Sequence, residues 1–162
     1  MIPVADFFNL LAQKKFCSST WLRSINSLDY LEEPDMFHDI FGHIPLLSNP
    51  IFSKYVHELG KVAMQHIHDK EKLIQFQRLY WFTIEFGVLY ENQNLKSYGA
   101  GIISSYIESN QVFTNNAKFL PFEVYKVIKK PFQTNTLQQE YVTINSFQEL
   151  YNSLKIVKIE IS

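Results

Sequence analysis

Between Lys70 and Tyr90, the residues Leu73, Phe76, Tyr80, Ile84 and Val88 recur every three or four positions. That spacing lines them along one face of a helix. A stripe of this length has to be buried against other elements, so it predicts a packed, mainly α fold. A second stripe points the same way. Pro50 suits the first turn of a helix, where its missing N–H would have had no partner, and Phe52, Tyr55, Val56, Leu59, Val62 and Ala63 line one face of the helix it opens. A first helix runs through Phe7, Phe8, Leu10, Leu11 and Ala12, with Asp6 as its expected cap.

Other stretches are punctuated more finely. Phe16 to Arg23 is mixed and reads as extended chain or loop. Asp29 to Pro34 reads as a turn, because Pro34 forces Glu33 out of helical geometry. With Pro34 at its first position, a short helix over Asp35 to Ile40 comes next, ended or broken by Gly42 and Pro45. "KSYGAGIISSYIES" opens on a glycine turn and continues as an apolar segment, and "KFLPFEVYKVIKK" reads as a helix beginning at Pro121. "EYVTIN" is β-branched and aromatic, a strand signal. Ser146 and Glu149 have capping-box spacing for a short helix, and the alternating "KIVKIEIS" reads as a terminal strand. The expected architecture is mainly α: a single helical domain over residues 1–162, with a small β element near the C-terminus. No repeat or Gly/Ser/Pro-rich linker divides the chain.

Charge and cysteine content exclude several classes of function. With 15 basic and 16 acidic residues the formal net charge is -1, which leaves no basic footprint for nucleic acid and no polybasic run for a membrane surface. Cys17 is the only cysteine, so there is no intrachain disulfide framework and no multi-Cys zinc or iron–sulfur site. "MIPVADFF" lacks the basic flank and apolar run of a signal peptide, and a cytoplasmic location is expected. Aromatic residues make up 15 % of the chain, which suggests large flat side chains packed together, around a flat ligand.

The chemistry concentrates in "EPDMFHDIFGHIPLL". His38 and His43 are five positions apart, with acidic residues before and between them. An unbroken α-helix, at about 100° per residue, would set them about 140° apart. The break at Gly42 and Pro45 lets the chain turn so that both imidazoles meet at one point. Glu85, in "LYWFTIEFGVLY", is a carboxylate among large apolar neighbours, costly to bury unless a cation compensates it. His38, His43 and Glu85 are then two imidazoles and one carboxylate, a set that leaves coordination positions open. Fe(II) activating O₂ and zinc are the two readings of such a set. His66 and His68 lie in the polar tract "QHIHDKEK" and, with His57, read as solvated, and Cys17 reads as a small packing residue.

Three motifs in order, "LDYLEEPDMFHDIFGHIPLL", "RLYWFTIEFG" and "YGAGIISS", resemble the aromatic amino acid hydroxylases, most closely the bacterial type that acts on phenylalanine. The resemblance runs from about Phe7 to Leu150. It implies a mainly helical catalytic domain with a basket-like arrangement around a mononuclear non-haem Fe(II) held by His38, His43 and Glu85, which are also the catalytic centre. It implies a tetrahydropterin cosubstrate, O₂, and hydroxylation of an aromatic amino-acid ring, phenylalanine to tyrosine. Tyrosine or tryptophan as substrate is a variant of the same chemistry, and a module that binds iron and amino acid without turnover is a further alternative.

By the same resemblance, Arg23 pairs with the substrate carboxylate, and Asp35 helps hold that arginine and the amino-acid head group. Trp81 is a wall of the substrate pocket, and Ser104 lies near the substrate carboxylate and behind an iron ligand. Phe7 stacks on the pterin, and Tyr80 lies on the pterin side of the iron. Relative to the family the chain reads as N-terminally shortened, without the upstream segment that covers the pterin. The regulatory domain and tetramerisation helix are missing as well, which implies a monomer acting on small molecules.

Overall fold

The computed structural model describes residues 2–28, 33–114 and 116–161. Helix α1 (Val4–Ala12) begins one turn earlier than the sequence suggests. Pro3, not Asp6, is its N-cap, and Asp6 sits in the first turn, where a negative charge meets the positive end of the helix. A short 3₁₀ turn (Ile25–Ser27) follows. The expected turn over Asp29 to Pro34 falls largely outside the described residues. Gly42 does not break the next helix: a π-helical segment (His38–His43) runs directly into α2 (Ile44–Leu47), with Pro45 in its first turn.

Asn49 caps α3 (Pro50–Met64), its side chain accepting the N–H groups of Ile51 and Phe52 at 3.0 and 3.1 Å. All six residues of the predicted α3 stripe are buried. Asp69 caps α4 (Lys70–Tyr80) in the same way. The predicted helix to Tyr90 stops earlier. A second π-helical segment (Trp81–Glu85) ends α4, and the chain turns at once into strand β1 (Gly87–Glu91). Val88, expected on a helix face, is a buried strand residue instead.

Strand β2 (Asn94–Ser97) returns antiparallel to β1 through the two-residue turn Asn92–Gln93, both at positive φ as this hairpin type requires. Two short helices come next, α5 (Ala100–Ile103) and α6 (Tyr106–Gln111). The stretch expected to be helical from Pro121 is a strand up to that residue, β3 (Lys118–Pro121), and only then one helical turn, α7 (Val124–Val127). Strand β4 (Glu140–Ile144) forms as expected and pairs in parallel with both β1 and β3, giving the order β2-β1-β4-β3. The sheet is therefore built from the middle of the chain, not from its C-terminal end.

The C-terminal "KIVKIEIS" is helical. Helix α8 (Phe147–Glu160) starts at Ser146, whose hydroxyl accepts the Glu149 N–H, while the Glu149 carboxylate accepts the N–H of Asn145. Leu150, Leu154, Val157 and Ile161 are buried at helical spacing, and the alternating Ile156 and Ile159 face outward. The larger apolar cluster joins α1, α3, α4 and α8; a smaller one gathers Phe86, Val88, Ile102, Val112 and Tyr141, and Trp81 packs against both.

Candidate active site

The first π-helical segment explains how residues five apart come together. A π turn closes i→i+5 hydrogen bonds, so residues five apart stack on one face where an α turn would splay them. His38 and His43 meet with their Nε2 atoms 3.1 Å apart. The second π-helical segment ends at Glu85, where the Phe86 N–H reaches back to the Trp81 carbonyl at 2.9 Å. Glu85 Oε1 lies 3.1 Å from His43 Nε2, and Oε2 lies 3.4 Å from His38 Nε2. Donor atoms about 2.1 Å from one ion and about 90–110° apart lie about 3.0–3.4 Å from one another, which is the spacing of these three.

The protonation pattern fits a cation as well. Ser104 Oγ donates its single proton to the Ala100 carbonyl at 2.7 Å, so it accepts from His38 Nδ1–H at 2.8 Å. The bare lone pair of neutral His38 is then on Nε2, facing His43 and Glu85. Burial, the largest influence, lowers the pKa of His38 despite the opposing charge of Glu85, which keeps the ring neutral. For Glu85, burial pushes the carboxyl up. His43, His38 and a hydrogen bond from Tyr80 outweigh it and hold the group below its usual range. The His38 lone pair, the Glu85 carboxylate and His43 Nε2 converge on one spot, so the donor set fits a divalent ion.

Asp39, which lies between the two histidines in sequence, makes an alternative third ligand: with His38 and His43 it offers atoms within 4.8 Å of one another. Glu85 is closer to both rings, and Asp39 Oδ2 is already occupied by the Ser19 N–H at 2.6 Å. We therefore take Glu85 as the third donor and Asp39 as a buried anion beside it.

The three donors lie on the wall of a cavity of about 600 Å³, which is also lined by Phe7, Arg23, Tyr80, Trp81 and Ser104. Asp35 stands behind Arg23, fully buried. Its carboxylate takes the Arg23 fork in two bonds, Nε at 3.0 Å and Nη2 at 2.6 Å, and also accepts the backbone N–H groups of Arg23 and His38. Burial raises the Asp35 pKa, but these bonds and the Arg23 charge hold it far below the usual carboxylate range. Arg23 Nη1 donates to the Ser104 carbonyl at 2.8 Å. Among the described residues, three of its five N–H donors find acceptors.

Aromatic rings form the other walls. Phe7 meets Tyr80 edge to face at 5.0 Å, and Phe16 lies 4.6 Å from His43. The Trp81 indole lies between Phe86 and Phe132, both at 4.6 Å, and is stacked on Phe132. Burial, then the Glu85 charge, pushes the Tyr80 hydroxyl well above its ordinary pKa. Phe16, Phe132 and Thr134 also line the cavity without having been singled out from sequence, since nothing in their spacing marks them. Asp39, also missed from sequence, did carry a signal, its position between the two histidines. His57 and His66, expected to be solvated, are packed: His57 Nδ1 lies 3.1 Å from the Leu11 carbonyl and His66 stacks on Phe76. His68 is exposed.

Two close approaches hold the site together. Gly42 lies against Ala100, where an added Cβ would come within 3.0 Å of the Ala100 Cβ, and this lets α5 bring Ser104 up to His38. At Gly99 an added Cβ would lie 2.2 Å from the Glu85 carbonyl, so no larger residue fits there without moving the Glu85 backbone.

Known proteins resemble this chain in sequence and fold. Phenylalanine-4-hydroxylase of Ralstonia nicotianae is 38 % identical over 156 residues, 96 % of this chain and 50 % of that protein. Tyrosine 3-monooxygenase of Drosophila melanogaster is 32 % identical over 149 residues, 92 % of this chain and 25 % of that one. The crystal structure of Chromobacterium violaceum phenylalanine hydroxylase, with bound iron(III) and 7,8-dihydrobiopterin, superposes with a TM-score of 0.90 at 35 % identity, covering 99 % of this chain and 59 % of that one. The chain thus spans about half the length of the bacterial relatives it matches. The family model for biopterin-dependent aromatic amino acid hydroxylases matches residues 1–162, and the chain belongs to that family.

Proposed function

We propose that this chain is the catalytic unit of an iron- and tetrahydropterin-dependent monooxygenase that hydroxylates the ring of phenylalanine to give tyrosine. The observation that carries the reading is the mutual spacing of His38, His43 and Glu85 on the wall of an aromatic cavity that also presents Arg23. Curated bacterial relatives at 36–38 % identity that are phenylalanine-4-hydroxylases favour phenylalanine over tyrosine or tryptophan. In this reading residues 1–162 are one catalytic domain, acting as a cytoplasmic monomer on small molecules. Among the described residues no helix is long and apolar enough to cross a membrane.

His38, His43 and Glu85 would hold the iron at the cavity wall. Ser104 fixes the His38 tautomer. The two N–H donors of Arg23 without an acceptor among the described residues, held rigid by Asp35, take the amino-acid carboxylate in a fork. Trp81, stacked on Phe132, forms the wall against which the substrate ring packs, and Phe7 beside Tyr80 offers the face for the flat pterin. When bound, iron and reduced pterin supply the oxygen-activating chemistry. The aromatic walls exclude water from the space where it takes place.

The test is metal analysis of wild type against Glu85→Gln, followed by turnover with phenylalanine, a tetrahydropterin and O₂. Iron in wild type, its loss in the variant, and tyrosine as product support the reading. Iron-loaded protein that forms no tyrosine counts against it. If phenylalanine also raises the melting temperature of such protein, the binding-module alternative takes its place. Competition among the three aromatic amino acids assigns the substrate.

A further inference from the structure

Glu108 has no role in the site described so far, yet it is completely buried. It lies three residues after Ser105, whose hydroxyl accepts the Glu108 N–H at the start of α6. Capping-box spacing would turn its carboxylate back on Ser105. Instead it reaches across to another part of the chain. Oε1 accepts the backbone N–H of Gln138 at 2.7 Å, and Oε2 accepts the Tyr141 hydroxyl at 2.7 Å. That hydroxyl also lies 3.0 Å from the Gln138 carbonyl. Among the described residues no cation pairs with Glu108, so these two donors are what offsets its burial.

Gln138 carries the connection onward. Its Nε2 donates to the carbonyls of Gln133 and Thr136 at 3.2 and 3.1 Å, and its Oε1 accepts the Trp81 indole N–H at 3.3 Å. One buried amide therefore ties the loop after Phe132 to the ring that Phe132 stacks on. Trp81 and Phe132 both line the cavity.

We propose that Glu108 is a positioning residue: through Gln138 it fixes the Trp81–Phe132 wall against which the substrate ring packs. This rests on the reading of the cavity as an aromatic amino-acid site. Glu108 touches neither the metal donors nor the cavity, so its effect falls on recognition of the amino acid and not on the iron.

The experiment has two readouts. Trp81 emission and its quenching by acrylamide are measured in a Trp21→Phe background, since these are the two tryptophans of the chain. KM for phenylalanine, kcat and iron content are measured with Trp21 intact. Glu108→Leu and Gln138→Leu are expected to red-shift and expose the indole. They are expected to raise KM by about tenfold, the worth of one buried hydrogen bond, with iron content and the KM for pterin unchanged. Glu108→Gln is expected to behave as wild type, its amide oxygen accepting from Gln138 and its NH₂ facing the Tyr141 hydroxyl. Should Glu108→Leu fail to fold, Gln138→Leu decides. Unchanged emission, unchanged KM, or a Glu108→Gln variant as impaired as Glu108→Leu overturns the proposal. If wild type makes no tyrosine, the proposed activity fails by itself, and the emission data alone decide whether the bracket holds the indole.

Discussion

His38 Nδ1 lies 2.8 Å from Ser104 Oγ, and Ser104 spends its only proton on the Ala100 carbonyl. One serine thereby determines which nitrogen of the imidazole is free to bind a metal. Ser104→Ala is expected to lower iron affinity about 10–100-fold, the usual cost of removing a group that orients a histidine ligand. Ser104→Thr keeps the hydroxyl and is expected to keep most of the affinity. Titration against a competing chelator measures both.

Metal removal has a stability signature. With free Fe(II) at about 100 times its dissociation constant, the folded state gains about 2.7 kcal/mol, or roughly 5–10 °C in melting temperature for a chain of this size. Chelation is expected to remove that increment from wild type and to leave the melt of Glu85→Gln where it was. Thermal denaturation with and without chelator checks it.

Asp35 is a buried carboxylate whose one cation among the described residues is Arg23. Arg23→Leu strands that charge, with an expected loss of about 3–5 kcal/mol. Arg23→Lys restores charge without the planar fork, and is expected to recover part of the stability while leaving phenylalanine binding weak. Urea unfolding and calorimetric binding separate the two effects.

Gly99→Ala drives a methyl group into the Glu85 carbonyl and the Gly87 nitrogen. The expected cost is about 2–3 kcal/mol, with iron affinity falling because the ligand-bearing backbone must move. Gly42→Ala, facing a side-chain methyl at 3.0 Å, is expected to cost less. Denaturant midpoints of the two variants give the order.

Burial pushes the Tyr55 hydroxyl up to about 12, opposed by its hydrogen bond with Thr83. The fold favours the neutral phenol, so its contribution is complete below pH 10 and is lost between pH 10 and about 12. Tyr55→Phe is expected to be about 1 kcal/mol less stable at pH 7, where the hydrogen bond is missing. It escapes about 2–3 kcal/mol of alkaline loss, so the two stability curves cross above pH 10. Unfolding measured across pH 7 to 12 locates the crossing.

The helical stripes of α3 and α4 were legible because each buries one face, and burial is what periodicity records. The change from helix to strand after Glu85 was not. Ile84, Phe86, Val88 and Leu89 are apolar in either geometry, since this stretch is packed on nearly all sides. The C-terminal segment misled for the opposite reason. Ile156 and Ile159 are apolar but exposed, and they completed an alternation that the buried Leu150, Leu154, Val157 and Ile161 contradict.

At the site, the sequence pointed to residues that the structure does bring together. It suggested the wrong local route, because π-helical hydrogen bonding leaves no compositional mark and Gly42 read as a stop. Phe132, Gln138 and Glu108 come from loops and a short helix whose partners are far away in the chain, and no local pattern announces such contacts.

β1 follows directly from Glu85 and is flanked on one side by β4, with Gly87 opposite Val142. During synthesis the two histidines and the glutamate leave the ribosome well before that flanking strand is made. Until it arrives, the carboxylate would stand at the root of a hairpin with an open edge, and a hairpin alone is marginal in water. In the proposed reading, capture of the ion would come late in the life of the nascent chain, and a stall between residues 91 and 140 would leave a polypeptide that has every donor and no vessel to keep them in.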